Sequence, residues 1–173
     1  MKKNPAKKLV FLALFAAATT VATMSVSFPI FSNKGYFNLG EVVIYTAALT
    51  FGPIVGGVSG ALGAALADMF LGFLLPWAPI TFVLKGIEGY IVGKLGYGKK
   101  TIGKIGAILL GGLAIMIGYP LAAGLLYGKA AVLPELLVDI VQVAVGGIVA
   151  VPLSKVLRKI FEEDLEYNGD DIK

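Results

Sequence analysis

Residues 99–127 read KKTIGKIGAILLGGLAIMIGYPLAAGLLY, and no charged residue follows Lys104 within that stretch. From Ile105 to Tyr127 the run is long enough for about 34 Å of helix, against a hydrocarbon core of about 30 Å. Lipid cannot hydrogen-bond an irregular backbone, so a run of this kind is helical if it lies in a membrane. The same pattern recurs on both sides. Leu9–Phe31, Leu39–Leu75, Ile80–Leu95 and Ala131–Leu157 are comparably apolar, and little polar sequence separates them. With 57% hydrophobic residues and a mean hydropathy of +0.85, the chain is too apolar for a soluble domain of ordinary composition. The reading is an all-α integral membrane protein: one bundle over residues 1–173, with six transmembrane helices at approximately 9–31, 39–52, 55–75, 80–95, 105–127 and 134–157.

The cations then orient it. Lys2, Lys3, Lys7 and Lys8 precede the first run, Lys94, Lys99, Lys100 and Lys104 fill the central connection, and Lys155, Arg158 and Lys159 close the last run. With six spans these clusters share one side, which the positive-inside rule makes cytoplasmic, along with both termini. Nucleic acid is not the expected partner of the +4 net charge, because aromatic residues do not interleave with the cations. Nor is the first run a cleaved signal sequence: it ends in Phe28-Pro29-Ile30-Phe31 rather than in small residues.

The connections carry their own information. Helix two, from about Leu39 to Gly52-Pro53, is short for a full span, so either the membrane is thinned there or the preceding Ser32–Asn38 loop dips inward against protein. The third run is studded with glycine, and Gly56, Gly60 and Ala64 form a small face for close helix packing. Pro76-Trp77-Ala78-Pro79 reads as an external hairpin, and Tyr119-Pro120 as a kink. On the first helix, Ala13 with Ala17 and Ala18 with Ala22 leave a flat strip that packs either within the protein or against a partner. The tail from Glu162 to Lys173 is acidic and polar.

Charged residues inside spans are costly and point to function. Here they are Asp68, Lys85, Glu88 and Asp139, with Glu41 and Glu135 near the outer ends. The hairpin places Asp68 and Lys85 at similar depth, either as an ion pair or as contacts to a polar ligand, and Glu88 lies one turn deeper on the Lys85 face. Glu135, Asp139, Gln142 and Gly146 share a face of helix six. That face suits a water-filled pocket closing midway, or a seam of interhelical hydrogen bonds. With Trp77, Tyr119, Tyr127, Tyr36 and Phe37 on the outer side, these acids outline a pocket for a planar, polar small molecule.

The chain contains no Cys and no His, which removes thiolate, disulfide and His-based catalysis. No cofactor or metal ion is expected, since the acids lack ligand spacing. There is no phosphate-binding Gly-x-x-x-x-Gly-Lys-Ser/Thr motif, so this chain does not drive transport through such a motif. A stand-alone or proton-coupled carrier is the alternative, although no internal repeat is visible.

Gly35-Tyr36-Phe37-Asn38-Leu39-Gly40-Glu41, Phe51-Gly52-Pro53, the glycine-rich run to Ala67-Asp68, Trp77-Ala78-Pro79 and Lys85-Gly86-Ile87-Glu88-Gly89 together resemble the S components of energy-coupling factor (ECF) vitamin transporters. The likeness is to the riboflavin or hydroxymethylpyrimidine-type subfamily. It implies a non-enzymatic subunit of the bacterial cytoplasmic membrane that binds a vitamin-like molecule outside. Such a subunit docks on a transmembrane T subunit carrying two ATPase subunits. By the resemblance, Ala13, Ala17, Ala18 and Ala22 face the T subunit, and Asn33, Tyr36 and Phe37 belong to a lid loop. Ligand contacts fall to Asn38, Glu41, Asp68, Trp77, Lys85, Glu88, Tyr119, Asp139 and Gln142.

Overall fold

The computed structural model describes residues 5–30 and 35–161. In chain order they form α1 (Pro5–Ser25), β1 (Phe28–Ile30), β2 (Gly35–Phe37), α2 (Gly40–Phe51), α3 (Pro53–Phe70), α4 (Trp77–Gly96), α5 (Thr101–Tyr127), a 3-10 turn (Lys129–Ala131) and α6 (Val132–Ile160). The stretches Ala6–Ser25, Pro53–Phe70, Thr101–Tyr127 and Lys129–Ile160 are long and apolar enough to cross a membrane. α4 has 20 residues but carries Lys85, Glu88 and Lys94. The six-helix membrane bundle is therefore the observed architecture.

Several boundaries move, each for a local reason. α1 ends at Ser25 rather than Phe31, because Pro29 disfavours a helical residue before it. Phe28–Ile30 pairs antiparallel with Gly35–Phe37 instead, Phe28 opposite Phe37. α3 stops at Phe70, not Leu75, ahead of Gly72 at φ +89°. α4 begins at Trp77 rather than Ile80. Pro79 and, in α6, Pro134 lie in first turns, where a missing N–H breaks no helical bond. α5 and α6 extend to Thr101–Tyr127 and Val132–Ile160, with Pro120 and Pro152 inside them.

The short α2 is the centre of the bundle. It packs on α1, α3, α4 and α6, and every residue from Ile44 to Phe51 is buried. Its buried residues include the polar Glu41, Thr46 and Thr50, so it packs against protein rather than lipid. Its 12 residues give about 18 Å of helix, whereas the 18 residues of α3 give about 27 Å. The length mismatch leaves unfilled space beyond its N-terminus, and there the fold places its cavity. No thinning of the membrane is needed to explain the short helix.

Glycines bring α3 onto the backbone of α4. A Cβ added to Gly60 would lie 2.6 Å from the Lys85 carbonyl oxygen, and one on Gly57 would lie 3.1 Å from that of Gly86. The predicted small face thus sets the depth of Lys85. α1 meets α3 through a different face from its alanine strip: the Thr20 hydroxyl donates to the Gly63 carbonyl at 2.9 Å, and Ala16, Thr19 and Thr23 are buried. Ala13 and Ala17 are exposed, while Ala18 and Ala22 are half-buried.

The two ends of the bundle differ. At one, Phe11, Phe51 and Phe161 form an aromatic cluster with Phe11–Phe51 centroids 4.5 Å apart, and Tyr97 packs against it. Lys94, Lys99, Lys100, Lys104, Lys155, Arg158 and Lys159 gather at this end. At the other end lies the cavity. The outward faces between them are apolar and exposed, including Leu109, Leu113, Ile117 and Ile148, as lipid contact requires.

Candidate ligand-binding cavity

The cavity holds about 530 Å3 of non-atom space, open solvent at its mouth included. All six helices and the hairpin contribute. α1 supplies Thr23, β2 Tyr36, α2 Gly40 and Ile44, and α3 Ala64 and Asp68. α4 supplies Trp77, Thr81 and Lys85, α5 Tyr119, and α6 Glu135, Asp139 and Gln142, with Asn38 and Phe73 from the connections.

The floor is a buried ion cluster. Lys85, 3% exposed, is paired with Glu41 and lies 3.3 Å from Glu88. The Tyr45 hydroxyl donates to Glu88 at 2.5 Å, and Lys85 also stands 5.5 Å from the Tyr119 ring centroid. Glu41 and Glu88 lie outside the cavity lining and hold Lys85 from beneath. Gly146 packs on Glu41 and Tyr45 below the cavity, where the sequence placed the closing end of the polar stripe.

Asp68 does not pair with Lys85. Its Oδ1 accepts from the Tyr36 hydroxyl at 2.5 Å, tying the hairpin to α3. Equal depth on adjacent helices was not enough, because Glu41 and Glu88 satisfy the lysine first. Burial, then the neighbouring Asp68 carboxyl, push the Tyr36 phenol above its ordinary range, so it remains the donor in this bond. On the opposite wall, Gln142 Oε1 accepts from the Asn38 side chain at 2.7 Å and from its backbone N–H at 3.0 Å. The Asn38 Oδ1 in turn accepts from the Gly40 N–H at 2.8 Å, fixing the chain at the start of α2. Tyr119 donates to Thr81 at 3.0 Å, and the Trp77 indole donates to Tyr127 at 2.8 Å. Trp77 lies 6.0 Å from Tyr119, and Tyr36 lies 5.4 Å from Phe73, so flat aromatic surfaces flank the polar groups.

Among the described residues, three buried atoms on the lining have no hydrogen-bond partner: Thr23 Oγ1, Asp68 Oδ2 and Asp139 Oδ2. Buried polar atoms are nearly always satisfied, so unmet acceptors on a cavity wall mark where a bound molecule donates. Among the described residues, Asp68, Glu135 and Asp139 line the space, and the ammonium of Lys85, the one cation on the lining, is already paired with Glu41 and Glu88 beneath it. The site's chemistry favours a ligand rich in N–H or O–H donors and disfavours an anion.

Of the residues expected to contact ligand, Asn38, Asp68, Trp77, Lys85, Tyr119, Asp139 and Gln142 line the cavity, as does Tyr36 of the lid loop. Phe37 is half-buried in β2 outside the lining, and Asn33 lies outside the described residues. Thr23, Phe73 and Thr81 were missed, as was the buried Tyr45. Thr81 had a signal: Trp77, Thr81, Lys85 and Glu88 recur at spacings of four, four and three, the same face logic that identified α6. Among the described residues, no group of three or more His, Cys, Asp or Glu side chains is placed to hold a metal ion.

With this geometry established, comparison with known proteins is informative. Residues 3–159 match a family model described as the S component of ECF-type riboflavin transporters. The chain is 42% identical over 144 residues to an uncharacterized protein of Pyrococcus woesei, covering 82% of this chain and 95% of that one. It is 34% identical over 170 residues to the thiamine precursor transporter HmpT of Lactococcus lactis subsp. cremoris, covering 98% and 96%. A solved S component of a bacterial ECF transporter superposes with a TM-score of 0.72 at 19% identity, covering 91% of this chain and 99% of that one. That last likeness bears on the fold alone.

Proposed function

The chain belongs to the S-component family of ECF-type riboflavin transporters, and we propose that it captures a donor-rich, planar vitamin precursor of the aminopyrimidine type at the outer membrane face. The observation that carries this reading is the pair of unmet carboxyl oxygens, Asp68 Oδ2 and Asp139 Oδ2, on a cavity flanked by aromatic rings. An exocyclic amine and a hydroxymethyl group donate to such oxygens, and the ring lies between Trp77, Tyr119 and the Tyr36–Phe73 pair. The similarity to a thiamine precursor transporter supports the same class. Riboflavin, named by the family model, is the second candidate.

The membrane is the bacterial cytoplasmic membrane, with both termini inside. The support is electrostatic: the lysine-rich end lies opposite the cavity, so the positive-inside rule turns the cavity outward. The hairpin carrying Tyr36 acts as a lid, latched through Asp68. Delivery depends on a T subunit and two ATPase subunits, which meet α1 at the exposed Ala13 and Ala17, with Ala18 and Ala22 at the margin. Small residues allow a partner helix to approach closely.

Calorimetry on the purified chain, without ATP, tests this. Hydroxymethylpyrimidine binds at one site with nanomolar affinity, and more tightly than riboflavin. Steady solute transport along an ion gradient by this chain alone in proteoliposomes would contradict it in favour of a carrier.

A further inference from the structure

The end of the bundle opposite the cavity carries a second polar cluster that ligand capture does not use. Lys104, in the first turn of α5, is only 3% exposed, and among the described residues its ammonium has no carboxylate in an ion pair with it. Its ammonium donates to the Ser154 hydroxyl at 2.8 Å, and Ser154, fully buried, donates to the Val151 carbonyl at 2.8 Å. One turn beyond Ser154 on α6, the Arg158 guanidinium lies 5.0 Å from the centre of the Tyr97 ring. Lys155 and Arg158 both repel Lys104 rather than neutralise it. The sequence has no Asp or Glu between Glu88 and Glu135, nor between Asp139 and Glu162. Among the described residues, this end therefore has cations without counter-charges.

A cation held in place by a neutral hydroxyl, with Lys155 and Arg158 next to it on α6, is arranged for an anion that the described residues do not supply. The surroundings identify the kind. Ile102 and Ile105 on α5, and Val156 and Ile160 on α6, flank the cluster and are 86%, 47%, 55% and 66% exposed. These are surfaces for acyl chains on the two helices that carry the cations. A free phosphate would gain nothing from them. We infer that Lys104, Lys155 and Arg158 bind the phosphate of an anionic phospholipid, whose acyl chains lie along the outer faces of α5 and α6. Basic sites between transmembrane helices recognise anionic headgroups on this principle.

The test is native mass spectrometry of the full-length chain, delipidated in detergent and then offered phosphatidylglycerol or phosphatidylcholine. Wild type retains one phosphatidylglycerol in preference to phosphatidylcholine. Exchanging Lys155→Gln together with Arg158→Gln lowers that retention by roughly twentyfold, at about fivefold per surface cation. Both residues are at least partly exposed, so this variant keeps its fold where Lys104→Gln could lose it. Lys129→Gln, at the cavity end, leaves retention unchanged. Equal loss in the Lys129 variant, or no loss in the double variant, would overturn the site. Displacement of the lipid by millimolar inorganic phosphate would overturn the assignment to lipid. So would lipid retention that emerges only when Glu162, Glu163 and Asp164 are changed to Gln, Gln and Asn, because the chain's own acids would then occupy the cations.

Discussion

Asp139→Asn separates a ligand contact from a structural one, because the two roles predict opposite results. Asp139 is fully buried, its Oδ1 is 3.5 Å from the Gln142 amide, and its Oδ2 is unmet on the cavity wall. Burial disfavours a charge there, and Glu135, one turn away on the same face, repels it, against the attraction of Lys85. The exchange keeps the volume, leaves an oxygen for Gln142 and removes the cost of burying a charge. The ligand-free protein therefore melts at the same temperature or up to about 4 °C higher, the equivalent of about 1 kcal/mol in a chain of this size. Binding moves the other way. A hydrogen bond to a charged group contributes about 1.5–3 kcal/mol, so affinity falls about ten- to a hundredfold. Thermal melting without ligand and calorimetry with hydroxymethylpyrimidine measure the two quantities on one preparation. Unchanged affinity would refute the assignment of Oδ2 to the ligand, and a lower melting temperature of the free protein would make Asp139 part of the scaffold.

Other outcomes follow from the same geometry. Tyr36→Phe removes the bond to Asp68 without altering the ring, and should accelerate ligand release about tenfold in stopped-flow experiments, with melting little changed. Lys85→Met strands Glu41 and Glu88 in a buried site and should cost about 3–5 kcal/mol of stability, measured by denaturation. Adding Glu41→Gln and Glu88→Gln should recover much of that loss. Gly60→Val drives a branched side chain into the Lys85 carbonyl and should destabilise by about 1–3 kcal/mol and weaken binding as α4 shifts. Ala13→Trp or Ala17→Trp should abolish cellular uptake while calorimetric affinity stays intact; loss of affinity would make the strip internal packing.

Some of this was legible in the sequence because it follows from solvent. Apolar length specified the helices, and the spacing of Glu135, Asp139 and Gln142 specified the polar face of α6. What escaped depended on choices among partners. Lys85 could reach Asp68 or Glu41 by depth alone, and only the packed bundle shows α2 delivering Glu41 beneath it. Helix ends shifted where proline is tolerated in a first turn, as at Pro79 and Pro134, or excludes helix before it, as at Pro29. The cavity was legible in the acids and aromatic residues of the outer half, but its link to the short second helix was not. Its cause is the burial of α2, which periodicity does not reveal because that helix is buried against α1, α3, α4 and α6 rather than along one face.

Trp77 is the chain's single tryptophan, is 7% exposed, and lies on the cavity wall between Tyr119 and Tyr127. Its emission is therefore a reporter of that cavity and of no other place in the molecule. Titrating the purified chain with hydroxymethylpyrimidine, without ATP or partner subunits, should change the Trp77 emission saturably, with the same affinity and one-to-one stoichiometry that calorimetry gives. Calorimetric binding that leaves the emission unaltered would put the ligand elsewhere and contradict the account.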